Sequence, residues 1–222
     1  MQQHQTESSV TYAHQHAQVR RLANKVLGKI EIKKSSTGRP FVDAGRDVSL
    51  SHTDRAMAVA TILAPYIIGV DVEDRDIPLH VRSLFSHEEV ELCESLSPKG
   101  VWACKEAVCK CLDVPFTQTK ISQKDGRLVG SGNNRYVALS LRLTQGHALA
   151  VAVTKKGLPP GALPPYPLRF VEETERPAAE KEPCMGLVAI HTMNADPQAS
   201  CFWKPQRLQL RIGPIPRPPD QQ

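Results

Sequence analysis

The stretch Tyr66-Ile67-Ile68-Gly69-Val70-Asp71-Val72-Glu73-Asp74 decides how the rest of the chain reads. Residues 66–72 are an apolar run preceded by the turn pair Ala64-Pro65, and a run this short fits a buried strand better than a helix. Side chains two apart on a strand share a face, so Asp71 and Glu73 project together from an otherwise apolar element. Two carboxylates held side by side repel unless positive charge neutralises them, and a divalent cation does so. A solvated strand end is the alternative the residues leave open.

Upstream, Ser49 to Leu63 reads as another strand, entered through Ser49-Leu50-Ser51-His52-Thr53. Gly38-Arg39-Pro40 and residues 43–47 read as a loop. Residues 11–30 read as an amphipathic helix, with Val19, Leu22, Val26, Leu27 and Ile30 at three- and four-residue spacing. Downstream, Pro78 to Leu96 keeps helical spacing, and Ser86-His87-Glu88-Glu89 resembles a helix start. Trp102 to Leu112 predicts a further helix, closed before Pro115. Tyr136–Leu143 alternates and turns through Thr144-Gln145-Gly146 into His147–Val153, a hairpin pattern. The predicted class is α+β: antiparallel hairpins from Ser49–Val72 and Tyr136–Val153 against the helices around 78–96 and 102–112. Thirteen of the 18 prolines lie in residues 157–222, which predicts an extended, largely non-core tail after Lys156.

The composition, 41% hydrophobic and 23% charged over 222 residues, excludes wholesale disorder and fits one large domain or two small ones. The longest apolar stretch, Ala56 to Val70, is too short for a membrane span and contains Pro65. Residues 1–7 have neither a basic nor an apolar leader region, which predicts a cytoplasmic location. The net charge of +5 resides in residues 1–40, which carry seven basic side chains against Glu7 and Glu31. A local basic surface suits an anionic partner or a solvated helix face. At 5% aromatic residues, with no basic–aromatic interleaving, a base-stacking nucleic-acid platform is not expected. The six cysteines lack a paired zinc spacing and read as small buried hydrophobes of a reducing compartment.

Two further segments carry candidate chemistry. In Trp102-Ala103-Cys104-Lys105-Glu106-Ala107-Val108-Cys109-Lys110, Glu106 and Lys110 are four apart on one helical face. They read either as an exposed ion pair or as a metal carboxylate or base beside a phosphate ligand. His52, with Ser51 and Arg39, reads as a structural histidine or as part of a phosphate site.

The order Gly38-Arg39-Pro40, Ser49-Leu50-Ser51-His52-Thr53, Gly69-Val70-Asp71-Val72-Glu73 and Trp102-x-x-Lys105-Glu106-Ala107-x-x-Lys110 resembles the 4′-phosphopantetheinyl transferase superfamily, over roughly residues 15–155. The likeness is to its two-lobed, surfactin-synthetase-activator-like type. The resemblance implies a fold of two similar halves with the site between them: a shortened basic amino-terminal lobe (1–68), a carboxy-terminal lobe with the metal site (69–156) and a Pro-rich extension (157–222). It implies that Asp71, Glu73 and Glu106 hold Mg²⁺ on the pyrophosphate of coenzyme A. Lys110 would contact the phosphates and stabilise the leaving group, and Lys105 would support that charge. Arg39, Ser51 and His52 would bind the coenzyme's phosphates, including the one on its ribose. Glu106 is the candidate base. The implied partner is an acidic apo carrier protein, served by a monomer, with neither nucleic acid nor membrane involved. Two-lobed members have a longer lobe before the segment at Gly38, where this chain has about 37 residues, and the Pro-rich extension has no counterpart there. Two other classes stay open: a catalytically silent CoA-binding subunit, and an interaction module whose acids are merely solvated.

Overall fold

The computed structural model describes residues 15, 17–28, 31–43, 45–78, 80–164, 168–172, 186–192 and 206–212. Residues 17–27 form helix α1, ending at Gly28 (φ +82°), whose left-handed backbone suits a helix C-terminus. A two-residue pairing of β1 (Lys33–Lys34) with β2 (Pro40–Phe41) follows. Next come β3 (Arg46–His52), β4 (Ala56–Leu63) and β5 (Tyr66–Glu73). Helices α2 (His87–Leu96) and α3 (Pro98–Leu112) precede β6 (Lys120–Lys124), β7 (Arg127–Gly132), β8 (Arg135–Leu143) and β9 (Ala148–Lys155). Strands β10 (Leu168–Glu172), β11 (Gly186–Thr192) and β12 (Gln206–Ile212) close the described chain. The class is α+β. One antiparallel sheet runs β10-β12-β11-β4-β3 and the other β5-β9-β8-β7-β6.

Alternation along the strands stacks these elements in layers. Even-numbered β4 residues (Ala56, Ala58, Ala60, Ile62) meet Ile68, Val70 and Val72 of β5 and Leu149, Val151 and Val153 of β9 in a core between the two sheets. Odd-numbered Met57 and Val59 face the other way, onto Val19, Leu22, Ala23 and Leu27 of α1. In β9 the complementary set is Ala148, Ala150 and Ala152, which lies beneath Ala103, Cys104, Ala107, Val108 and Cys111 of α3. With both faces covered, β4 and β9 are buried along nearly their whole length. That accounts for their unbroken apolar sequences.

Small residues under α3 let it sit close. A Cβ on Gly69 would lie 2.0 Å from the Ala107 carbonyl oxygen and 2.6 Å from the Cys111 nitrogen, both backbone atoms that cannot step aside. Gly69→Ala is therefore expected to destabilise the fold by about 1–3 kcal/mol in urea unfolding. An unchanged midpoint would contradict the close approach.

Several expectations hold: the Tyr136–Val153 hairpin is the β8–β9 pair, and the helix start at Ser86 is a capping box with Glu89. Others are corrected. The expected strand Ser49–Leu63 is two, because the polar segment from Thr53 to Arg55 makes a turn in which the Thr53 backbone N donates to the Ala56 carbonyl. The hairpin partner of β4 is thus β3, while β5 crosses to the second sheet. The 78–96 segment divides into a 3₁₀ turn (Val81–Leu84) and α2. Helix α3 begins before Trp102, where Ser97 caps it and Pro98 occupies its first turn.

The largest correction concerns residues 157–222, whose strands β10, β11 and β12 belong to the first sheet. β11 pairs with β4 from Gly186↔Ile62 to Thr192↔Ala56, and Leu168, Val188, Ile190 and Leu208 enter the central core. The ends of the 11–30 helix, Cys184 and Cys201 lie outside the described residues. Cys104 and Cys111 are buried free thiols, as the cysteine reading expects, while Cys93 and Cys109 are only half-buried. Burial pushes the Cys104 and Cys111 thiols up, that of Cys111 to about 12. Among the described residues, no helix is long and apolar enough to cross a membrane.

Candidate functional site

The site begins where the two sheets meet edge to edge. β3 and β5 are edge strands, and edge-strand N–H groups need acceptors. Alternate β3 side chains supply them. The Ile68 N–H donates to Asp47 Oδ2 (2.8 Å), the Val70 N–H to Ser49 Oγ (2.9 Å) and the Val72 N–H to Ser51 Oγ (3.3 Å). Ser51 Oγ in turn donates to Asp71 Oδ1 at 2.7 Å. Ser51 therefore orients Asp71 as well as joining the sheets.

Asp71 and Glu73 continue the β5 face that begins under α3 at Gly69. Near Ala107 and Cys111, which touch Gly69, the same helix carries Glu106 and Lys110. Lys110 Nζ lies 2.6 Å from Asp71 Oδ1. Glu106 is half-buried; burial first, then the Asp71 carboxylate, pushes its carboxyl above the usual range, Glu73 adds to the push and Lys110 opposes it. Glu106 is thus close enough to Asp71 and Glu73 to feel both charges. Glu73 is 6% exposed, and its Oε1 accepts from the backbone N–H groups of Asp74 (3.0 Å) and Arg75 (2.9 Å) and from Arg75 Nε (3.3 Å).

These groups line a cleft of about 430 Å³. Asp71, Glu73, Glu106, Lys110, Ser51 and His52, all named from the sequence, border it together. Trp102 forms part of the wall, and Arg20, Lys34 and Arg75 add positive charge. The acids are hard oxygen donors, suited to Mg²⁺ rather than to a softer metal, and their mutual repulsion is what a divalent cation relieves. Among the described residues, no three acidic, histidine or cysteine side chains are already drawn together as a ligand set. The present partners of Asp71 and Glu73 occupy Oδ1 and Oε1, so a cation there would share these carboxylates with Lys110 and Arg75.

Two residues assigned to the coenzyme lie elsewhere. Arg39 does not border the cleft: its Nη2 pairs with Asp47 (2.5 Å) and reaches the Ile68 carbonyl (3.3 Å), and its Nη1 donates to the Cys111 carbonyl (3.1 Å). It ties β3, β5 and the end of α3 together. Lys105 is 2% exposed and paired with Glu89, whose relative exposure is 0%. Its Nζ meets Glu89 Oε1 (2.7 Å), Glu89 Oε2 (3.0 Å) and the Thr119 carbonyl (2.7 Å). Among the amino-terminal lysines, Lys34 borders the cleft while Lys33 pairs with Asp43.

Sequence reasoning missed Arg20 and Arg75 as site residues. Arg75 follows Glu73-Asp74 and precedes Asp76, a mixed-charge run that reads as solvated surface. Its i+2 relation to Glu73 was the available signal. No protein-family model matches the chain, and no curated protein matches it.

Proposed function

We propose that this chain is a Mg²⁺-dependent 4′-phosphopantetheinyl transferase, which moves the phosphopantetheine arm of coenzyme A onto a serine of an acidic apo carrier protein. The observation that carries the reading is the convergence of Asp71, Glu73, Glu106 and Lys110 on one cleft, from two backbone segments whose residues resemble the family's motifs in order. Two five-stranded antiparallel sheets joined along one seam support the finer reading of two facing lobes in one chain.

In this mechanism the serine oxygen attacks the phosphorus bearing the pantetheine arm. A phosphodiester forms, the bond to the bridging oxygen breaks, and adenosine 3′,5′-bisphosphate leaves. Mg²⁺ held by Asp71, Glu73 and Glu106 would supply charge neutralisation on the diphosphate. Lys110 steadies the charge that develops on the leaving phosphate, and Ser51 keeps Asp71 aimed. Glu106 takes the serine proton. His52, Lys34 and Arg20 face the remaining phosphate charge from the cleft wall. Most of the acceleration comes from positioning and electrostatics.

Mass spectrometry of several apo carriers incubated with the protein, CoA and Mg²⁺ tests the reading. The expected result is one phosphopantetheine added per carrier, abolished by EDTA. CoA binding with no mass gain on any carrier would leave a silent binding subunit instead.

A further inference from the structure

We propose that the cleft takes its divalent cation and the coenzyme's diphosphate as a coupled pair, because Lys110 and Arg75 already neutralise one oxygen each of Asp71 and Glu73 and turn to phosphate oxygens when cation and diphosphate arrive together. The inference rests on the transferase reading for what bears the diphosphate. It adds Arg75 to the binding residues and makes each ligand's affinity depend on the other.

The argument is one of charge partners. Asp71 Oδ1 already receives Lys110 Nζ at 2.6 Å and Ser51 Oγ at 2.7 Å. Glu73 Oε1 already receives Arg75 Nε at 3.3 Å and two backbone N–H groups. A divalent cation arriving alone competes with two positive groups tethered beside its ligands, which act at high effective concentration. A diphosphate arriving alone meets three carboxylates and two cations engaged elsewhere. When both arrive, one exchange of partners satisfies every charge: ammonium and guanidinium turn to phosphate oxygens, and the carboxylates turn to the cation.

The side chains have room for this. The Arg75 side chain is 73% exposed, so its Nη groups can swing across the cleft mouth. The Lys110 side chain is 31% exposed and also borders a second cleft of about 320 Å³ on its other side. Arg75 keeps its charge at any working pH and offers a planar fork matched to phosphate. Coupling between ligands is reciprocal, so Mg²⁺ must tighten CoA by the factor by which CoA tightens Mg²⁺.

Calorimetry on the full chain separates the terms. Mn²⁺ is titrated alone, then CoA is titrated with and without saturating Mg²⁺, into wild type, Lys110→Met, Arg75→Met and the double variant. Circular dichroism melting confirms that each is folded, and either single variant suffices if the other does not fold. In wild type, Mg²⁺ is expected to tighten CoA by at least about tenfold, within the usual range of such couplings. In each single variant, Mn²⁺ alone is expected to bind several-fold tighter than in wild type, and in the double variant most of the CoA–Mg²⁺ coupling is lost. Variants that bind Mn²⁺ alone no more tightly than wild type would overturn the proposal, as would CoA binding indifferent to Mg²⁺ in wild type. Coupling in a protein that modifies no carrier would leave this inference standing and remove the transferase reading.

Discussion

Glu106→Gln is expected to lower phosphopantetheine transfer by about three orders of magnitude or more, since it removes a general base and a metal carboxylate at once. The fold is expected to survive, and the sign of the electrostatics says why. Burial, Asp71 and Glu73 raise the Glu106 carboxyl above its ordinary value, so folding disfavours its charged form. That group withdraws stability as pH rises from the ordinary carboxylate range through its raised one, and the penalty stays fully present above it. Glutamine does not ionise. In EDTA at neutral pH the variant should therefore melt at or above the wild-type temperature while transferring almost nothing. A variant that melts lower, or retains more than about a tenth of wild-type transfer, would place Glu106 outside the role given to it.

Lys105→Met has the opposite profile. Lys105 and Glu89 form an ion pair with almost no exposure, and every strong donor around the carboxylate is in use: Lys105 on both oxygens, the Ile121 N–H on one and the Ser86 N–H on the other. The pair ties the start of α2 to the middle of α3 and the edge strand β6. Removing one partner strands a buried charge, which costs about 3–5 kcal/mol. For a chain of this size that is a fall of roughly 6–20 °C in melting temperature. Replacing Glu89 by leucine as well should recover only part of the loss, because it removes the stranded charge but leaves the Ile121 and Ser86 N–H groups without their acceptor. If Lys105 instead touched the coenzyme's phosphates, Lys105→Met would keep its melting temperature and weaken CoA, so thermal melting decides the matter.

What the sequence made legible was local. The Asp71/Glu73 strand, the Ser86–Glu89 capping box and the four-residue spacing of Glu106 and Lys110 each follow from a period or a cap. Each of these features stands where the pattern put it, although the helices that carry the last two have other starts than expected. What it hid was partnership over distance. β11 pairs with β4 across 124 to 136 residues, and no local pattern in a proline-dense segment names β4 as its neighbour. Arg39 shows as a cation near the right motif, but its commitment to Asp47, Ile68 and Cys111 depends on how three elements meet.

Lys105 is the instructive case. It adjoins Glu106 in sequence, yet successive residues of a helix point about 100° apart, so one faces the cleft and the other the core. A motif carries both forward together, whereas helical geometry separates them.

Diffraction from the protein with CoA and Mn²⁺, recorded at the manganese edge, tests the central claim most directly. One anomalous peak is expected against the coenzyme's diphosphate, about 2.1 Å from carboxylate oxygens of Asp71, Glu73 and Glu106. A peak ligated elsewhere, or a diphosphate bound with no metal on those three carboxylates, would contradict it.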